Sequence, residues 1–213
     1  NELIILRDSS IDNPDNKLEA EIYYANLDNG EIKKIGNLDY INKPVWFDKD
    51  HVLIIVRSQI KKLNIRTGEF EDFINGIRWT DAGDLRVNGK KIYFGNEKEI
   101  VYPGPLRSEI LLDSYDVNSK KISTEYSFGE DGLIGDMTFD IFQNKLLFVD
   151  SNKSIFYIKT ENNISTLSAE TKKYNDQNPR IFDLKWSPNG EYFAYMHEIS
   201  DSNSPVFNKQ LTI

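Results

Sequence analysis

The chain has 213 residues, no Cys, and 34 acidic against 26 basic side chains, for a net charge of −8. That length supports one full hydrophobic core or two small ones, and 39% apolar with 28% charged residues excludes disorder as a description of the whole chain. The missing Cys excludes a disulfide scaffold, a Cys-ligated zinc site and a thiol nucleophile.

From the N-terminus onward, short apolar or aromatic runs alternate with clusters of Asn, Asp, Gly and Pro, the pattern of short strands joined by turns. Strands are predicted at 3–7, 20–27 and 31–35, then at 45–47, 51–57, 59–65 and 69–74. They continue at 76–80, 91–94, 99–102, 110–117 and 121–128, at 136–139, 145–149, 154–159 and 163–168, and finally at 181–186, 192–197 and 210–213. The turns at Asp28-Asn29-Gly30, Thr67-Gly68, Asn88-Gly89 and Asn189-Gly190 carry residues that accept a positive φ cheaply. Connections this tight join only antiparallel neighbours, so the predicted sheets are meanders. Residues 168–175 lack an apolar stripe and read as a polar loop with at most one helical turn.

An order recurs along the chain: an aromatic residue ends one strand, a polar turn follows, and an apolar strand comes next. The anchors Trp46, Trp79, Phe139 and Trp186 lie 33, 60 and 47 residues apart. Their mean spacing is near 47, just above the roughly 40 to 45 residues of a four-stranded propeller blade. Continuously apolar stretches such as Val52 to Val56 suit sheets covered on both faces. The fold expected is therefore all-β, a β-propeller of four-stranded antiparallel blades, with a β-sandwich or barrel as the competing architecture. Trp46 and Trp186 are expected in equivalent buried positions. Grouping the strands as three, four, four, four and three predicts an incomplete set of about four to five blades, with 1–213 a propeller domain or a fragment of one that begins and ends within blades.

Trp186-Ser187-Pro188-Asn189-Gly190-Glu191-Tyr192-Phe193-Ala194-Tyr195 resembles the WD40-like repeat of TolB-type propeller proteins, whose consensus runs Trp-Ser-Pro-Asp-Gly before an apolar strand. At Trp46 and Trp79 only the Trp and the acidic turn survive. The resemblance implies a location in the periplasm, the cell envelope or outside the cell, and it covers binding proteins, N-terminal domains of oligopeptidases, and lipoproteins or sensors.

Catalytic signatures are sparse. The sequence contains no Gly-x-Ser-x-Gly, Gly-x-Gly-x-x-Gly or His-Glu-x-x-His. Its two His residues, His51 and His197, end apolar strands and read as structural or surface groups. No cofactor is expected. Calcium is the one candidate, because Asp8, Asp12 and Asp15 could supply oxygen ligands, although their spacing departs from the EF-hand and the same residues serve turns. Glu130, Asp131 and Asp136 read the same way.

The longest apolar runs are too short for a membrane span, no leader pattern opens this sequence, and the net acidity argues against nucleic acid as partner. A protein or peptide partner is expected instead, recognised through inter-strand loops. Tyr102 and Arg107, in the segment 95–107 with Pro103 and Pro105, are the candidate partner-binding residues. The expected function is a noncatalytic binding or scaffolding propeller. The alternatives are the accessory propeller of a serine oligopeptidase-like enzyme, a carboxylate-based hydrolase or lyase with its site in the channel, and a ligand-sensing module of a membrane protein.

Overall fold

The computed structural model describes residues 1–8, 19–39, 44–56, 58–78, 85–100, 107–129, 137–150, 155–161, 163–167, 180–199 and 208–212. These form eighteen strands in five antiparallel sheets, and no helix occurs among the described residues. The first sheet holds β1 (Glu2–Asp8), β2 (Glu19–Asn26) and β3 (Glu31–Asp39). The second holds β4 (Val45–Trp46), β5 (His51–Val56), β6 (Gln59–Asn64) and β7 (Phe70–Asn75). The third comprises β8 (Leu85–Asn88), β9 (Lys91–Ile100), β10 (Arg107–Asp116) and β11 (Lys121–Gly129). The fourth comprises β12 (Phe139–Phe142), β13 (Lys145–Asp150), β14 (Ile155–Thr160) and β15 (Asn163–Leu167). The fifth contains β16 (Arg180–Trp186), β17 (Phe193–Ile199) and β18 (Asn208–Thr212). Every sheet is a meander in chain order, as the tight turns require.

The chain divides into two compact units, Asn1–Trp79 and Thr80–Ile213. In the first, Val52, Ile54 and Val56 on one face of β5 join Leu63 and Ile65 against Ile22 and Ile35 of the first sheet. In the second unit, Ile110 and Leu112 of β10 pack on Met137, Phe139, Leu146, Phe148 and Tyr157. The opposite face of the fourth sheet presents Leu147, Val149 and Phe156 to Ile181, Leu184 and Tyr195 of the fifth. The fourth sheet is thus covered on both sides, which is why five successive residues of β13, from Leu146 to Asp150, are buried. Rings fill both seams: Tyr126 lies 4.8 Å from Phe148, and Phe156 lies 4.9 Å from Tyr195. Full burial of each such ring contributes on the order of 1.5–3 kcal/mol.

Several predicted strands shift. Residues 76–78 are not strand, and the third sheet starts instead with β8, where Val87 and Leu85 flank Arg86. The predicted 91–94 and 99–102 are one continuous strand through Ile100, because β10 supplies partners along its whole length, down to Arg107 opposite Ile100. Phe139 opens β12 rather than ending a strand. The residues that end the first strands of the second to fifth sheets are Trp46, Asn88, Phe142 and Trp186, at intervals of 42, 54 and 44. The true phase of the repeat is therefore carried at two of four places by residues other than Trp.

The expectation of equivalent burial for Trp46 and Trp186 fails. Both end a first strand, opposite Val52 and Phe193 respectively. Trp186, however, is partly buried between Phe142 and Phe193, at ring separations of 6.4 and 6.0 Å, whereas Trp46 is 38% exposed. At the turn after Trp186, Gly190 has φ +69° and a Cβ there would run into the Phe142 ring, so this glycine is needed both for its conformation and for its missing side chain.

Candidate functional site

A polar cleft of about 350 Å³ opens at the seam between the third and fourth sheets. The β8–β9 turn brings Asn88 and Lys91 to it, β9 adds Tyr93, the β12–β13 turn adds Asn144, and the end of β14 adds Lys159 and Thr160. Glu125 comes from β11 by an irregularity of register. Leu112 faces Tyr126 and Asp113 faces Thr124, which leaves Glu125 as an extra residue in a β-bulge. Bulges re-aim side chains, and this one brings Glu125 to the seam beside Tyr126.

Glu125 is the hub. Its carboxylate accepts a hydrogen bond from Lys159 Nζ at 2.6 Å and another from Ser114 Oγ at 2.7 Å, and Lys91 Nζ approaches to 3.6 Å. Lys159 also donates to the Glu125 main-chain carbonyl at 2.9 Å. Burial opposes the charge on Glu125, whose side chain is 12% exposed, but the Lys159 and Ser114 hydrogen bonds and the two ammonium charges outweigh it and hold the carboxyl below its ordinary value. Burial, reinforced by the Glu125 charge, pushes the Tyr93 phenol up to about 12, so it remains a hydrogen-bond donor at neutral pH. Asn88 donates its amide to the Gln143 carbonyl, tying the two turns together.

A second feature lies on the first strands of the three sheets of this unit. Arg86 Nε of β8 donates to Asp140 Oδ1 of β12 at 3.0 Å, and the backbone N–H of Trp186 donates to Asp140 Oδ2 at 2.9 Å. Lys185 stands 3.7 Å from the same carboxylate, and the N–H of Leu184 donates to Thr138 Oγ1 at 3.1 Å. These bonds are possible because β16 is irregular at Asp183, φ +52°, where the register with β17 shifts. Asp140 is a fastener of neighbouring sheets, and the groups around it are cations rather than a second carboxylate.

The candidate residues read from sequence are not in this cleft. Arg107 opens β10 with its backbone opposite Ile100, at the far end of a β9–β10 hairpin that overshoots β8, which pairs with β9 only as far as Phe94. Tyr102 lies outside the described residues, in the connection between these strands. Of the calcium candidates, Asp12, Asp15, Glu130, Asp131 and Asp136 lie outside the described residues and Asp8 ends β1. Among the described residues no three His, Asp or Glu side chains gather as a metal site. His51 is held between Asp48 Oδ1, 2.8 Å from Nδ1, and Asn64 Nδ2, 3.5 Å from Nε2, a structural setting. His197 belongs to β17 opposite Gln210. Sequence reading missed Lys91, Tyr93, Glu125 and Lys159; the one signal was the placement of lone charges among strand formers, Ser-Thr-Glu-Tyr at 123–126 and Tyr-Ile-Lys-Thr at 157–160.

Repeated antiparallel meanders, stacked face to face and fastened through their first strands, define a β-propeller fold. Solved structures with this fold include TolB from Acinetobacter baumannii, 15% identical over 99% of this chain and 49% of that one, with a TM-score of 0.63. The β-propeller domain of the trilobed protease from Pyrococcus furiosus is 13% identical over 100% of this chain and 63% of that one, TM-score 0.58. Pyrococcus horikoshii acylaminoacyl peptidase is 10% identical over 92% of this chain and 33% of that one, TM-score 0.57. The TolB-type likeness read from Trp186 to Tyr195 thus holds at the level of fold, and the chain spans about half the length of the TolB chain it matches. No family model matches the sequence, nor does any curated protein. No helix among the described residues is long and apolar enough to cross a membrane.

Proposed function

We propose that this chain is a noncatalytic binding or scaffolding propeller that recognises a protein or peptide partner, in the periplasm, the cell envelope or outside the cell. The observation that carries this reading is the β9–β10 hairpin, which continues from Gly95 to Ile100 and from Arg107 to Leu112 beyond the last pairing of β8. A projecting two-stranded arm on a rigid sheet is suited to reach a macromolecule, and Tyr102 and Arg107, residue types that anchor interfaces, stand at its end. The seam cleft supports the same reading, because its charges are engaged with one another as a preformed polar surface. The likeness to the peptidase propellers favours a second reading, an accessory domain of a serine peptidase. A nucleophile elbow in an α/β domain of the same polypeptide would decide for it.

The test is capture of partners from the native envelope fraction, followed by titration of wild type and the double variant Tyr102→Ala/Arg107→Ala. The variant is expected to keep its fold to within about 1 kcal/mol and to lose at least about tenfold in affinity. Unchanged affinity would reject the hairpin as the recognition element, and turnover of a small substrate by the isolated chain would overturn the noncatalytic reading.

A further inference from the structure

The seam cleft has an excess of donors at its closed end. Two ammonium groups, Lys91 and Lys159, converge on one carboxylate, leaving a surplus positive charge there. Glu125 is saturated by Ser114, Lys159 and Lys91, so its part is to position the two lysines. Lys159 gives one proton to the Glu125 carboxylate and one to its carbonyl, leaving a third available. Lys91 is 49% exposed and held only at 3.6 Å, so it is free to turn toward an arriving acceptor. The Tyr93 hydroxyl has no hydrogen-bond partner among the described residues and lines the same space. The acceptor most exposed in the lining is Glu161, an exposed residue at the end beyond Thr160.

We propose that this cleft binds the carboxylate of a peptide, with Lys91, Lys159 and the Tyr93 hydroxyl donating to its two oxygens. A planar monoanion suits one surplus positive charge, while Glu161 disfavours the second charge of a phosphate. The volume, about 350 Å³, accommodates a terminal residue or an acidic side chain rather than a whole folded element. The site deepens the partner-binding reading by naming a chemical group the partner offers, and it rests on that reading only for the source of the carboxylate.

The test uses the full chain labelled with ¹⁵N and titrated separately with N-acetylglycine, N-acetylaspartate diamide analogues bearing only the side-chain carboxylate, N-acetylglycinamide and inorganic phosphate. Saturable shifts of the Lys91, Tyr93, Asn144 and Lys159 amides with either carboxylate, and none with the uncharged amide, are expected; the tighter of the two carboxylates identifies a chain terminus or an acidic side chain as the source. Lys91→Gln and Tyr93→Phe should each weaken binding about tenfold, the loss of one charge-assisted or one neutral donor to a charged group. Lys33→Gln, an exposed residue of β3 in the other unit, should leave it unchanged. Equal shifts with the uncharged amide, tighter binding of phosphate, or no saturable shift would overturn the proposal. The Tyr102→Ala/Arg107→Ala variant separates the two readings, since it should lose the macromolecular partner while still binding the small carboxylate.

Discussion

Trp186 and Trp46 end equivalent strands, yet they perform different work. Trp186 fills the seam with Phe142 and Phe193, and its indole N–H is buried without an acceptor among the described residues, so its contribution is packing rather than hydrogen bonding. Trp186→Ala should cost about 3 kcal/mol, and Trp46→Ala, at an exposed position, about 1 kcal/mol or less, as read from urea midpoints. Equal losses would show that both rings share one environment. Glu125 carries the clearest pH signature. Its folded value lies below the ordinary 4.5, so the native state holds the charge more tightly than the unfolded chain does. That contribution is complete above about pH 4.5 and is lost as the pH falls through the depressed value. Glu125→Gln should therefore flatten the acid limb of a stability profile while lowering stability at pH 7, and an acid limb identical to wild type would remove Glu125 from the account.

At the scale of elements, Asp140 ties β12 to both β8 and β16, and the neighbouring Thr138 adds a second tie to β16. Asp140 and Arg86 are only 14% and 18% exposed, so removing the carboxylate strands a poorly hydrated guanidinium and an N–H together. Asp140→Ala is expected to cost about 3 kcal/mol, and Asp140→Asn, which keeps an acceptor for the Trp186 N–H, about half of that. Equal costs for the two would show that charge alone matters. None of this was legible in the sequence, because it depends on an irregularity at Asp183 that turns the N–H groups of β16 aside, and no composition signal marks such a residue. The Glu125 bulge was hidden for the same reason: strict alternation would have placed Glu125 opposite its neighbour Tyr126, not beside it. What the pattern did reveal was local chemistry, the Asn-Gly and Thr-Gly turns and the doubly covered strand at Val52 to Val56, since both are written in consecutive residues.

Across the whole molecule, the period was readable and its phase was not. Trp186-Ser187-Pro188-Asn189-Gly190 marks the end of a first strand correctly, but Trp79 and Phe139 are not its counterparts; Asn88 and Phe142 are. A blade needs only a strand end and a tight turn at that point, so Asn88-Gly89 serves as well as Trp does. The same logic explains why function was harder to read than fold: the seam cleft draws on Lys91, Glu125 and Lys159 from three strands, which only the stacking of two sheets brings within reach of one another. The central claim is that these surfaces hold a partner without transforming it. Its most direct test is to saturate the chain with a captured protein or peptide partner, release it after prolonged incubation, and weigh both molecules by mass spectrometry. The account predicts that the partner is recovered at its original mass in a fixed ratio to the chain, whereas a partner cleaved or modified in amounts exceeding the chain would contradict it.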